Sequence, residues 1–224
     1  MGFPIIVNGF SADSYNLKEV GGKLYANKRP ILFGALLNVA IFVLCILLFI
    51  EVLFNVFFMG IYVVNISMQP TLTGAVSENI SGGDFIYVNK FVKPDYGDIV
   101  VVYREATSPD GYTERGNIIK RAVAFGGDKV EMKHGILYLN GKEVDESYLD
   151  FSRIDPDKNN FSEHVVKENC MFLLGDNRDN STDSRECGDY PMEDLVGVMP
   201  QWSYDIKGLT TAVYTFFNFT IFGK

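Results

Sequence analysis

The sequence is poor in the residues from which much enzyme and nucleic-acid chemistry is built. Its 224 residues include three cysteines (Cys45, Cys170, Cys187) and two histidines (His134, His164). Three cysteines do not make a disulfide framework, and without a C-x-x-C pair they do not make a zinc site. Cys45 lies in an apolar run, where it acts as a small hydrophobe. Cys170 and Cys187 could pair in an oxidising compartment, although two free thiols is the simpler reading. A formal net charge of −8 argues against nucleic acid as a partner, because phosphate binding needs clustered Lys and Arg. It also argues against broad electrostatic attachment to anionic lipid. The chain has no block of five like charges and no repeat of fixed period, which excludes charged tails and solenoids. Neither histidine has a patterned acidic partner, and both read as surface residues rather than as the base of a triad.

What is present is apolar surface. A composition of 47% hydrophobic and 21% charged residues suits a folded core, and the length leaves room for one anchor and one ordinary domain. From Ile31 to Ile50 the chain carries no charge, and only Asn38 is clearly polar. Such a run makes roughly 30 Å of helix, enough for a bilayer core, and it lacks the polar face of a buried core helix. Lys18, Lys23, Lys28 and Arg29 precede the run, Glu51 follows it, and the next lysine is Lys90. The positive-inside rule then predicts a cytoplasmic segment 1–30, a transmembrane anchor 31–51 and an extracytoplasmic domain 52–224. A cleaved signal peptide fits poorly, since the run starts late, is long and is followed by bulky residues without an A-x-A-like site. Residues 57–64 read either as the first strand of the outer domain or as a segment skimming the membrane interface. Leu209–Phe222 is short for a span and reads as a core strand or an interfacial segment.

The outer domain reads as mostly β, an antiparallel domain behind one N-terminal transmembrane helix. Strand-like runs at Asp84–Asn89, Asp98–Tyr103, Asn117–Phe125, Lys129–Lys133, Ile136–Leu139 and Met171–Leu174 alternate with glycine-rich turns. Asn140–Gly141 is a hairpin signal, because a type I′ turn wants positive φ at both central residues. Outside the anchor no long amphipathic helix is apparent, and residues 146–169 read as a long surface excursion.

Three segments carry the candidate chemistry: Asn65–Leu72 (NISMQPTL), Asn117–Val130 (NIIKRAVAFGGDKV) and Gly175–Arg185 (GDNRDNSTDSR). Ser67 stands before a proline that restricts the backbone and ends a strand, which presents its hydroxyl at a bend. Alone, such a serine is an ordinary turn residue. Lys120 lies in an apolar strand whose period-2 alternation puts Ile118, Lys120, Ala122 and Ala124 on one face, and Arg121 on the other, toward solvent. Among such neighbours a lysine loses hydration and its pKa falls, and a neutral amine can take a proton from a serine hydroxyl. The bland alternative is an edge-strand lysine pointing at water. The acidic cluster fits a calcium loop badly: with Asp179 first, Ser184 stands where glycine belongs and Tyr190 where the bidentate glutamate belongs. A paired support network, with Asp183 and Arg185 in charge-assisted hydrogen bonds, fits better and needs neither metal nor cofactor.

Together these segments resemble the type I signal peptidases, membrane-bound serine proteases that remove signal peptides from exported preproteins. The resemblance rests on S-M-x-P-T-L at Ser67–Leu72, K-R and the G-x-x-G-D-like spacing around Lys120–Asp128, G-D-I-V-V at Gly97–Val101, and G-D-N-R-x-x-S-x-D-S-R at Gly175–Arg185. These segments follow an anchor in the family's order. The resemblance implies Ser67 as nucleophile, Lys120 as general base, Ser181 as the group that orients the lysine amine, and Asp183 and Arg185 as structural. It also implies small substrate side chains at positions −1 and −3, bound as an extended strand. Many relatives carry a small residue two before the nucleophile, where this chain has Asn65; an asparagine there can donate its side-chain amide to an oxyanion, or simply satisfy a strand end. The implied partners are preprotein signal peptides and the lipid membrane, with the enzyme expected as a monomer. The rivals are a specialised peptidase serving one surface protein or pilin, and a non-catalytic membrane-anchored β binding module.

Overall fold

The computed structural model describes residues 16–20, 23–27, 31–75, 82–107 and 113–217. Two compact units meet in sequence between Val56 and Phe57. In the first, β1 (Asn16–Val20) and β2 (Lys23–Asn27) pair as an antiparallel hairpin, which no strand signal announced within the segment expected to be cytoplasmic. Lys28 and Arg29, which enter the charge argument for that segment, lie outside the described residues. Helix α1 (Ile31–Phe57) runs past the expected end at residue 51. Its window Gly34–Phe57 has a mean hydropathy of 2.9, is not buried, and is long and apolar enough to cross a membrane. A helix suits such a span because every interior N–H and C=O is bonded within the segment.

The second unit is mostly β. Its strands are β3 (Phe58–Tyr62), β4 (Phe85–Asn89), β5 (Ile99–Thr107), β6 (Thr113–Phe125), β7 (Lys129–Lys133), β8 (Ile136–Leu139) and β9 (Lys142–Glu143). After these come β10 (Phe161–Val165), β11 (Cys170–Leu174), the short helix α2 (Ser184–Cys187), β12 (Tyr190–Pro191), β13 (Leu195–Val198), α3 (Gln201–Asp205) and α4 (Lys207–Thr215). One seven-stranded antiparallel sheet has the order β12-β11-β6-β5-β13-β4-β3, and a four-stranded sheet has the order β10-β7-β8-β9. The expected strands lie within a residue or a few of their observed bounds. The turn at Asn140–Gly141 has φ of 52° and 76°, the left-handed geometry its sequence signals.

Strand β6 is where the hydrophobic clusters meet. Ile119 packs in a cluster with Met68, Leu72 and Ile99, Ala122 in a second with Val100 and Leu173, and Val123 in a third with Val130 and Leu137. A strand buried on both faces reads as a continuous apolar run, and any charged side chain in it must find a partner.

Three expectations are refined by the structure. Residues 146–169 are exposed over most of their length, as expected of a surface excursion, but they are anchored to the domain: Glu146, Leu149, Asn159 and Val166 are buried, and β10 pairs with β7. Within Leu209–Phe222 the described residues are helical, not a strand, and residues 218–222 lie outside the described set. His164 does have an acidic partner, its Nε2 lying 2.7 Å from Asp189 Oδ1. Cys45, Cys170 and Cys187 are free thiols.

Candidate active site

The chain leaves β3 and returns to β4 through a loop whose two ends are laced together. Asn65 N–H donates to Ala75 O and Ala75 N–H to Val63 O, each at 3.0 Å. The ends approach so closely that a Cβ on Gly74 would fall 1.5 Å from the Asn65 carbonyl oxygen, so glycine is required there. Asn65 itself has φ 72°, a left-handed conformation that asparagine tolerates better than most residues. Inside the loop, Met68 and Leu72 are buried and pin it to the core, leaving Ser67 between them and the exposed Asn65 and Ile66.

Lys120 enters from β6, opposite Val100 of β5. It is 4% exposed, and its Nζ lies 2.8 Å from Ser67 Oγ and 3.0 Å from Ile119 O. Burial pushes the pKa of this amine down to about 8 from the ordinary 10.5, and the Asp183 carboxylate opposes the shift without cancelling it. The arrangement places a hydroxyl against an amine that loses its proton near neutral pH, the requirement for general-base activation of a serine.

Arg121 does not face solvent. It is 7% exposed, and its Nε and Nη2 hold Asp176 at 2.8 and 2.6 Å while Nη1 reaches Gly97 O at 2.6 Å. Its guanidinium also lies 3.8 Å from the centre of the Tyr148 ring. Thr71 Oγ1 donates to the same Asp176 at 2.5 Å. Asp176 therefore ties the residue after Lys120 to the loop that carries Ser67. Its neighbour Asn177 holds that loop directly, by N–H to Ser67 O at 3.0 Å and by Nδ2 to Ile66 O at 3.1 Å.

The rest of Gly175–Arg185 closes on itself. Asp183 is fully buried; it takes Arg185 Nε at 2.8 Å and Nη2 at 2.9 Å, and accepts Gly175 N–H at 3.0 Å. Arg185 also reaches Asn159 Oδ1 at 2.6 Å and Arg178 O at 2.8 Å. Arg178 pairs with Glu146, both side chains being buried. Asp179, the first calcium-ligand position weighed in the sequence, accepts instead from Asp155 N–H and Asn159 Nδ2. Protein donors thus occupy these carboxylates.

Of the expected site residues, Ser67 and Lys120 are brought into contact, and Asp183 and Arg185 into a pair. Asn65 stands two residues from Ser67 on the exposed side of the loop. Ser181 Oγ is buried and makes no hydrogen bond, so the expected bond to the Lys120 amine is not formed. It does lie close by: a Cβ on Gly175 would meet Ser181 Oγ at 2.1 Å and Ser67 O at 2.6 Å. Asp176, Asn177 and Arg121 lie within the quoted motifs, but nothing in the sequence assigned them a role at the site, and Arg121 was expected to face solvent.

Comparison with known proteins finds a family and relatives to which the chain is similar. A family model described as signal peptidase, peptidase S26, matches residues 36–202. A probable signal peptidase I-1 of Synechocystis sp. is 33% identical over 141 residues, covering 61% of this chain and 66% of that protein. Signal peptidase I P of Bacillus subtilis subsp. natto is 35% identical over 143 residues, covering 59% of this chain and 69% of that protein. The chain thus spans about two thirds of the length of these relatives. A crystal structure of a signal peptidase I from Enterococcus faecalis V583 aligns at 28% identity with a TM-score of 0.39, covering 49% of this chain and 98% of that one.

Proposed function

The chain belongs to the peptidase S26 family of signal peptidases, and from that premise we propose that it is a membrane-anchored serine endopeptidase that removes signal peptides from exported preproteins. The observation that carries the proposal is the 2.8 Å approach of Lys120 Nζ to Ser67 Oγ, with the amine buried and its pKa drawn down to about 8. Neutral Lys120 accepts the Ser67 proton as Oγ attacks the scissile carbonyl. Lys120 then gives that proton to the leaving amine, and a serine ester of the signal peptide remains. Water, deprotonated by the same amine, attacks the ester, frees the signal peptide's carboxylate and restores Ser67.

Two supporting roles belong to the same proposal. The Ser67 backbone N–H and the Asn65 side-chain amide receive the oxyanion. Ser181, whose hydroxyl is unbonded beside the dyad, becomes a partner for the amine when Ser67 turns to the substrate. Asp183 and Arg185 shape the support beneath them. One chain supplies both members of the dyad, in keeping with a monomeric enzyme. Helix α1 anchors the protein in the cell membrane, with the N-terminus cytoplasmic and the dyad outside.

The test is cleavage of a panel of preproteins by the full chain in lipid vesicles, beside its Ser67→Ala variant. The proposal expects several members of the panel to be cut at their signal-peptide junctions and none to be cut by the variant. Cleavage of one dedicated surface protein alone would favour the specialised peptidase. A folded wild-type chain that cuts nothing would favour the binding module.

A further inference from the structure

On the face of the seven-stranded sheet that carries Lys120, one buried donor has nothing to bond to. Tyr190 packs among Val100, Val102, Ala122 and Leu173 and is 6% exposed. Its hydroxyl is buried and makes no hydrogen bond. Burial, with the neighbouring Cys187, pushes the phenol pKa up, so the group keeps its proton and remains a donor. A buried donor without an acceptor is costly, and native folds leave few of them.

The side chain that this hydroxyl faces is Cys187. Cys187 ends α2, its N–H donating to Asp183 O at 2.8 Å, and Gly188 turns the chain at φ 78° toward Tyr190. Its thiol is free and exposed. Thiol sulfur is a weak acceptor, which leaves the phenol unsatisfied.

A second donor stands at the same place. The register of β5 on β6 sets Val100 opposite Lys120, Val102 opposite Ile118 and Arg104 opposite Gly116, so alternation puts Arg104 on the Lys120 face. Arg104 is half-buried and, among the described residues, makes no hydrogen bond or ion pair. It is near enough to Tyr190 and Lys120 to act on the charge of each. Across from it Gly116 brings no side chain, and a Cβ there would meet open space. Cys170 has no such surroundings: it is half-buried and packs against the apolar cluster of Val166 and Phe172.

Two donors without an acceptor, around an exposed sulfur, form a cradle for an oxygen carried on that sulfur. We propose that Cys187 is a redox-modification site, at which a peroxide converts the thiol to a sulfenic acid whose oxygen accepts from Tyr190 and Arg104. The sulfur attacks one oxygen of hydrogen peroxide; the S–O bond forms as the O–O bond breaks. Sulfur is oxidised by two electrons, and the second oxygen takes them and leaves as water with the thiol's proton. The two donors then have the acceptor that the reduced protein lacks.

The full chain in detergent is treated with hydrogen peroxide, and sulfenic acid is trapped with dimedone and located by peptide mass spectrometry. The expected adduct is at Cys187, with little at Cys170. Removing the peroxide and delaying the dimedone then reads the lifetime of the acid. Tyr190→Phe and Arg104→Gln, each retaining its circular dichroism, should shorten that lifetime by about 5-fold, the order expected for one lost hydrogen bond. Absence of an adduct at Cys187 overturns the site. Lifetimes in both variants equal to that of wild type overturn it as well, because the two donors would then not hold the oxygen. Cleavage enters neither readout, so a chain that proved not to be a peptidase would leave this proposal standing.

Discussion

Asp176 holds Arg121 through two parallel hydrogen bonds, at 2.8 and 2.6 Å, and accepts Thr71 Oγ1 with the same carboxylate. Arg121 follows Lys120 in sequence, and Thr71 lies in the loop that carries Ser67. The two halves of the dyad come from segments 53 residues apart, and this carboxylate joins their supports. Asp176→Ala should therefore leave a buried guanidinium unpaired and cost about 3–5 kcal/mol of stability. Urea unfolding in detergent measures it, and a change below about 1 kcal/mol would show that Asp176 is not a structural bridge.

A second prediction concerns the cost of keeping Lys120 buried. Its folded pKa of about 8 lies below the ordinary 10.5. Between those values the unfolded chain binds a proton that the folded chain does not, so the lysine's contribution to stability rises with pH across that window. Below about pH 8 the full penalty is present. Lys120→Met removes it, and should unfold later than wild type at neutral pH, by up to about 3 kcal/mol for the shift involved. The gap should close as pH approaches 10.5. Parallel stability curves for the two proteins would refute the depressed pKa.

Gly175 is a steric prediction. A Cβ there would lie 2.1 Å from Ser181 Oγ and 2.6 Å from Ser67 O. Gly175→Ala should displace the nucleophile loop and lower kcat by about 10²-fold, the order of loss expected for an ångström of misplacement. Thermal unfolding run alongside should show a milder loss of about 1–3 kcal/mol. Undiminished turnover would mean the loop has slack the geometry does not reveal.

For Asn65 the informative substitution is glycine, which accepts φ 72° without strain and removes only the amide. If that amide receives the oxyanion, Asn65→Gly lowers kcat by about 10²–10³ with little change in KM. An unchanged kcat would return Asn65 to the role of a residue that merely tolerates a left-handed bend.

The sequence was most legible where chemistry and pattern coincide. Alternation and glycine turns mark β7 and β8 to the residue, and an apolar strand around Lys120 gives its amine a reason to be neutral. It was least legible where polar residues are buried by partners far along the chain. Glu146 and Asn159 read as surface residues because nothing local indicates that Arg178 and Arg185 will reach them. Arg121 read as solvent-facing for the same reason: alternation assigns it the face opposite Lys120, but cannot say that both faces are covered. The α3–α4 segment was not read as helical: the sequence offered residues 209–222 as a core strand or an interfacial segment, because two short helices give too few turns for a 3.6-residue period to stand out.

The central claim is that neutral Lys120 activates Ser67, and the most direct test is kcat/KM for preprotein cleavage as a function of pH, in wild type and Lys120→Ala. Because the neutral amine is the active form, wild-type kcat/KM should climb through an inflection near the value of about 8 and level off above it. Lys120→Ala should fall by about 10²–10⁴ and lose that inflection. A Lys120→Ala enzyme that cleaves at the wild-type rate, or keeps the wild-type inflection, would contradict the account.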